Sequence, residues 1–217
     1  MGISSGSLSV RFIAAKFKKF QTIIFGCISL FMLMFNACKR IPKNMSSVYQ
    51  DASRPIEQRV EALLKSMTLT EKITILGGRG QLTRAIPRLG IPSLKMSDGP
   101  LGVVRGKSTA FPSGTAMAAS WDTTLMLKVG QCIGAETKDK GRNVILGPCV
   151  NIARLPFGGR NFESYGEDPY LTSRMAVSYI EGVQTQGVAA TVKHFALNNQ
   201  EYQRLFVNVR ASKRTMN

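Results

Sequence analysis

Lys193 and His194 stand side by side where the apolar run 188–192 gives way to the polar stretch 196–201, and His194 is the only histidine in the chain. A cation and an imidazole at the end of a buried strand suit the gripping of a hydroxyl-rich ligand. A lone histidine beside an apolar run is also the pattern of a hydrogen-bonded core residue. Two further segments shift that balance. Residues 96–103, Met-Ser-Asp-Gly-Pro-Leu-Gly-Val, follow a short apolar stretch, and residues 158–169 follow a strand-like stretch over 143–152. Each is a strand that opens into a polar, glycine-rich turn, and together they offer Asp98, Arg160 and Glu163 alongside Lys193 and His194.

The elements that must position these residues are legible from periodicity. Residues 54–66 carry apolar side chains at helical spacing, and Thr68 with Glu71 three residues on forms a capping-box pattern for a second helix ending at the glycines 77, 78 and 80. Short apolar strands then alternate with helices: strand 94–96, helix 122–141, strand 144–146, helix 169–186 and strand 188–193. That alternation points to a parallel α/β architecture. Periodicity leaves a doubly wound sheet and a (β/α)8 barrel equally open. The glycines at 77–80 follow a helix and not a strand, so they lack the context of a dinucleotide-binding loop.

Composition bounds the function classes. The chain has 217 residues, 44% apolar and 19% charged, with a formal charge of +16. Seven basic residues (Arg11, Lys16, Lys18, Lys19, Lys39, Arg40 and Lys43) lie in the first 44 positions without an acid, which leaves +9 scattered over the rest. No basic stripe interleaved with aromatics and no zinc-ligand spacing accompanies the charge, so nucleic acid is not an expected partner. Residues 1–44 read as an export leader and tether: a basic segment, an apolar run over 21–35, then Ala37 and Cys38. The run is short for a bilayer-spanning helix and suits a signal peptide. Cys38 stands where a lipidated first residue would, although Phe35 and Asn36 depart from the commonest form of that signal. A periplasmic or cell-envelope lipoprotein is expected, with secretion as the alternative and the membrane touched only through the leader or its lipid. Cys132 and Cys149 could pair in an exported chain, but nothing in the sequence brings them together, and they read as two small buried thiols.

From Arg54 to Arg214 the ordered segments Arg-Leu-Gly-Ile-Pro at 88–92, Ser-Asp-Gly-Pro at 97–100, Ser-Trp-Asp at 120–122, Leu-Gly-Pro at 146–148, 158–169 and Lys-His-Phe at 193–195 resemble the N-terminal domain of family 3 glycoside hydrolases, the β-glucosidase and β-xylosidase type. The resemblance implies a (β/α)8 barrel with its chemistry on loops at the C-terminal strand ends. A complete barrel needs ~250 residues, more than residues 45–217 supply, so a partial barrel domain is expected over that range. It implies retaining hydrolysis of terminal β-glycosides such as β-glucosides or β-xylosides, which uses two carboxyl groups and no metal or organic cofactor. Both the nucleophile and the acid/base of the family fall beyond Asn217, so no catalytic residue is expected in this chain. Residue by residue, Asp98, Arg160, Lys193 and His194 match positions that contact the sugar unit next to the scissile bond.

Each of these has a chemical rationale. Asp98, an acceptor-only carboxylate after a strand, can take two adjacent sugar hydroxyls, while the alternative is an aspartate stabilising its own turn. Arg160, Lys193 and His194 would donate to hydroxyls, with Glu163 holding the Arg160 guanidinium. Phe162 and Phe195 are expected to pack in the core. Asp122 reads as a helix N-cap, and Glu167-Asp168 as the cap of the helix from Pro169. Arg105 follows an inserted second valine, Val104, where the family commonly has arginine directly after Gly-Val; it is a candidate sugar contact if the loop shifts. Competing readings are a non-catalytic sugar-binding fragment or gene remnant, and the family's β-N-acetylhexosaminidase branch. That branch usually follows Lys-His-Phe with a second histidine, where this chain has Ala196-Leu197-Asn198-Asn199.

Overall fold

A computed structural model describes residues 48–216. The expected leader and Cys38 lie outside the described residues. The described residues divide into two compact units, one ending at Thr68 and the other beginning at Leu69. In the first, helix α1 (Ile56–Ser66) is the apolar-striped helix expected from spacing. No helix among the described residues is long and apolar enough to cross a membrane.

The second unit carries the sheet. After α2 (Leu69–Leu76) come strand β1 (Met96–Asp98), helices α3 (Gly114–Ala118) and α4 (Thr123–Asp139), strand β2 (Val144–Leu146), helix α5 (Pro169–Thr185), strand β3 (Ala189–Ala190) and the short α6 (Lys213–Met216). The three strands are parallel in the order β1-β2-β3, with Ser97 beside Ile145 and Ile145 beside Ala190. This is an α/β unit with a small parallel sheet whose strand order follows the chain.

Helices α4 and α5 start where an aspartate can cap them. Asp122 Oδ1 accepts from the N–H groups of Thr124 (2.8 Å) and Leu125 (3.0 Å), and Asp168 Oδ1 accepts from those of Tyr170 (2.7 Å) and Leu171 (3.3 Å). Met126, Val129 and Ile133 on α4, with Met175, Tyr179 and Val183 on α5, bury one face of each helix. They form a single core with Ile145 of β2 and Val188. Each such side chain contributes about 1.5–3 kcal/mol of burial free energy before entropy is set against it. The helices approach closely because Gly182 faces α4: a Cβ there would collide with Leu127 O and lie 3.0 Å from Gly130 Cα.

Two strand expectations shift for identifiable reasons. Leu94 is not in β1, because its backbone bonds to the 81–83 segment: Thr83 N–H donates to Leu94 O at 3.0 Å, and Leu94 N–H donates to Thr83 Oγ1 at 2.7 Å. β3 is shorter than 188–193 because the register slips by one residue after Ala190: Thr191 N–H is shared between Ile145 O and Gly147 O, and Lys193 N–H donates to Pro148 O. Pairing resumes one residue on at the parallel bridge between Cys149 and Lys193, with Val150 N–H donating to Lys193 O at 2.8 Å.

Candidate functional site

Because the strands are parallel, residues at or just after their C-terminal ends share one end of the sheet. Asp98 closes β1, Cys149 and Asn151 follow β2, and Lys193 and His194 follow β3. The long β2–α5 connection adds Arg160 and Glu163, in and beside a 3-10 turn over Asn161–Glu163.

Asp98 is aimed by the turn behind it. Gly99 adopts φ +139°, where a Cβ would collide with Gly102 O. Gly102 N–H closes the turn onto Gly99 O at 3.2 Å. Asp98 Oδ1 accepts from Lys193 Nζ at 2.7 Å and from Gly99 N–H at 3.0 Å. Oδ2 has no partner among the described residues, and the Asp98 side chain is 46% exposed against 13% for Lys193. Partial burial pushes the carboxyl upward, but the Lys193 ammonium, the Gly99 N–H and Arg160 together outweigh it and hold it below the usual aspartate value.

Arg160 is clamped in fork geometry. Nε and one terminal nitrogen each donate to a Glu163 carboxylate oxygen at 2.7 Å, and the other terminal nitrogen lies 3.8 Å from Glu201 Oε1. The hydrogen bonds from Arg160, ahead of opposing burial, hold Glu163 below its ordinary value and raise Arg160 above its own. Glu163 Oε2 also lies 3.6 Å from Cys149 Sγ, and Cys149 Sγ lies 3.7 Å from His194 Nδ1. Burial, then the Glu163 charge, push the Cys149 thiol up to about 11. It is therefore an S–H at neutral pH and not a nucleophilic thiolate. His194 Nδ1 is 2.8 Å from Asn151 Oδ1, and burial followed by the charges of Arg160 and Lys193 holds the imidazole below its ordinary value.

All of these residues except Lys193, which is held against Asp98, line two adjoining clefts with Arg160 as the shared wall. An open one of about 210 Å³ includes Asp98, Gly102, Phe162 and Glu163. A narrow one of about 10 Å³, room for a single water or hydroxyl, includes Cys149, Asn151, His194 and Glu201. Four of the five binding candidates, Asp98, Arg160, Lys193 and His194, are thus brought together. Arg105 is not: it is exposed and donates to Gln81 Oε1 at 2.8 Å, and unlike Lys193, which pairs with Asp98, its side chain pairs with no residue of either cleft. Cys149 is buried as expected, but Cys132 is exposed, because it lies off the face of α4 that Met126, Val129 and Ile133 bury. The core placement of two aromatics is also corrected. Phe162 is 53% exposed on the open cleft, because the 3-10 turn that points Glu163 at Arg160 turns its neighbour outward. Phe195 is fully exposed, beyond the last ladder contact at Lys193.

Cys149, Asn151 and Glu201 escape sequence reading as site residues. The first two sit in what reads as strand interior, and the proline before them is the signal that they belong to the strand end. The groups available are an acceptor at Asp98 and a donor at Arg160 on the open cleft, with the Lys193 ammonium held against Asp98, types that suit hydrogen bonding to hydroxyls. Both Asp98 and Glu163 are ionised and clamped to cations, so neither is set up as a general acid, which needs a raised pKa. Among the described residues no group of three or more His, Cys, Asp or Glu side chains could hold a metal ion.

Comparison with known proteins gives a consistent result. The model of the glycosyl hydrolase family 3 N terminal domain matches residues 58–201. The chain is 47% identical over 189 residues to beta-glucosidase BoGH3A of Bacteroides ovatus, covering 80% of this chain and 25% of that protein. It is 42% identical over 171 residues to thermostable beta-glucosidase B of Acetivibrio thermocellus, covering 72% of this chain and 23% of the relative. Among solved structures, a family 3 beta-glucosidase from Bifidobacterium adolescentis superposes with a TM-score of 0.67 at 39% identity, over 70% of this chain and 23% of the other. Beta-glucosidase 3B from Thermotoga neapolitana, in complex with glucose, gives 0.61 at 38% identity over 65% and 24%. The chain spans about a quarter of the length of these relatives.

Proposed function

Because this chain belongs to glycosyl hydrolase family 3 through its N-terminal domain, we propose that it supplies the sugar-binding arc of a (β/α)8 barrel in a retaining, β-glucosidase-type hydrolase of terminal β-D-glycosides. The observation that carries this reading is the convergence of Asp98, Arg160, Lys193 and His194 on one end of a parallel sheet: Asp98 and Arg160 face a space of about 210 Å³, Lys193 is held against Asp98, and His194 lines the cleft on the other side of Arg160. Three parallel strands in chain order fit a barrel as they fit one half of a doubly wound sheet, and membership of the family supports the barrel. The name beta-glucosidase shared by the relatives, and the glucose bound to the Thermotoga neapolitana enzyme, support a glucose-type glycone.

In this role Asp98 Oδ2 accepts from glycone hydroxyls while Lys193 and Arg160 donate to others. Glu163 keeps Arg160 in the single orientation that does so. The chemistry of bond cleavage belongs to a carboxylate pair outside this arc and calls for no cofactor. Export through residues 1–44 completes the reading, with Cys38 as the lipid-bearing residue of a cell-envelope protein. Incorporation of labelled fatty acid that is lost in Cys38→Ser tests that part, and unchanged labelling removes it.

The main test is an exchange. Residues 54–214 are substituted for their counterpart in the Bacteroides ovatus beta-glucosidase, and turnover of 4-nitrophenyl β-D-glucoside is followed. The chimera is expected to hydrolyse the glucoside. A folded, inactive chimera would overturn the proposal.

A further inference from the structure

Asn151 sits between two partners that fix which way round its amide lies. Oδ1 accepts from the backbone N–H of His194 at 3.2 Å, and Nδ2 donates to the carbonyl of Asn198 at 3.1 Å. Exchanging the two atoms would set an NH2 against an N–H and a carbonyl against a carbonyl, so the orientation is determined by the network. The atom 2.8 Å from His194 Nδ1 is therefore an oxygen with no proton to give. Two bare acceptors do not hold that distance, so Nδ1 carries the proton.

Neighbouring groups agree with that assignment. Burial and the charges of Arg160 and Lys193, against Glu163 and Asp98, favour the neutral imidazole. A neutral ring protonated at Nδ1 has a lone pair at Nε2, for which there is no partner among the described residues. The Cys149 S–H finds its acceptor in Glu163 Oε2 at 3.6 Å. Were it turned to Nδ1 at 3.7 Å, it would leave Nδ1 and Asn151 Oδ1 as facing lone pairs.

We propose that Asn151 is a positioning residue that locks His194 as its Nδ1–H tautomer, so that Nε2 accepts a hydrogen bond from a ligand hydroxyl. This reverses the donor role that the residue type suggests. The identity of the ligand as a sugar rests on the β-glucosidase-type reading; the tautomer does not. The consequence is a specificity rule. Arg160 and Lys193 only donate, so a fluorine in place of the hydroxyl they face is tolerated. The hydroxyl facing His194 must itself donate, and fluorine there leaves Nε2 unpaired.

The single histidine makes the test direct, since ring-nitrogen NMR of the full chain with labelled histidine yields one pair of resonances. Above neutral pH, Nδ1 is expected as the protonated, pyrrole-type nitrogen and Nε2 as the bare, pyridine-type one. A pyridine-type Nδ1, or an averaged pair, overturns the proposal. Asn151→Leu is expected to release the ring to the Nε2–H form or a mixture, while Asn151→Asp, which keeps an acceptor, retains Nδ1–H. Should Asn151→Leu unfold, the wild-type spectrum and the aspartate variant still decide the matter. Glucose is expected to shift Nε2. In the series of monodeoxyfluoro glucoses, members that remove a hydroxyl facing Asp98 or Nε2 are expected to bind at least about tenfold more weakly, and among these the one at the His194 position is expected, at saturation, to fail to shift Nε2. An Nε2–H ring that responds to glucose overturns this inference alone. An Nδ1–H ring that ignores glucose at every concentration overturns the hydroxyl-acceptor role and the sugar-binding reading with it.

Discussion

Asp98→Asn separates a ligand contact from a turn residue, because the structure divides its two oxygens between different tasks. Oδ1 holds Lys193 Nζ and Gly99 N–H, and an asparagine with its carbonyl oxygen in that place keeps both. Its NH2 then replaces Oδ2, turning an open acceptor into a donor. A hydrogen bond to a charged group is worth about 1.5–3 kcal/mol, which corresponds to roughly 10- to 150-fold in affinity. The cost to the fold is smaller. With the carboxylate 46% exposed, the lost charge on the Lys193 pair is screened and amounts to about 0.2–1 kcal/mol, or at most about 4 °C in Tm for a domain of this size. In the chimera with the Bacteroides ovatus enzyme, kcat/KM for 4-nitrophenyl β-D-glucoside should therefore fall at least about tenfold with Tm almost unchanged. Asp122→Asn is the control, since asparagine still caps α4 and activity should stay at the parent level. Full activity in Asp98→Asn, or collapse of Tm without a separable effect on catalysis, would make Asp98 a structural turn residue and refute the reasoning.

Three further outcomes are expected. Asp98 and Glu163 have folded-state pKa values below their unfolded ones, so their contribution to stability is full above the ordinary carboxylate range and is lost as pH falls through the folded values; denaturant titrations from pH 7 to pH 2 should show this slope flattened in the double variant Asp98→Asn, Glu163→Gln. Gly182→Ala should destabilise by about 1–3 kcal/mol in chemical denaturation, because the clash with Leu127 O on α4 outweighs the 0.5–1 kcal/mol that alanine gains in a helix; a stabilised variant would contradict the close helix approach. The 217-residue chain alone should not turn over a chromogenic glucoside above a mock preparation, since its three site carboxylates, Asp98, Glu163 and Glu201, are each set against a cation; turnover would place a working acid among them.

The fold was legible where local rules and tertiary packing agree. Asp122 and Asp168 are followed by helical patterns and cap them, and the Val144–Leu146 strand is the apolar run expected there. It was not legible where a distant partner decides. Leu94 reads as strand β1 but is drawn into pairing with Thr83, which periodicity cannot see. The site was read through its charged residues, and Asp98, Arg160, Lys193 and Glu163 are indeed drawn into direct pairs. Its uncharged framework, Asn151 and Cys149, carries no sequence signal beyond a position after a proline. Phe162 and Phe195 were assigned to the core by hydrophobicity alone, whereas turn geometry and the end of the ladder expose them.

The central claim is that the β1, β2 and β3 ends form one sugar-binding frame. A crystal structure of the chimera soaked with glucose tests it most directly. The sugar is expected to extend from the cleft of about 210 Å³ across Arg160 towards the adjoining one, with a hydroxyl within hydrogen-bond distance of Asp98 Oδ2 and others on Lys193, Arg160 and His194. Glucose bound with none of these four side chains in contact would contradict it.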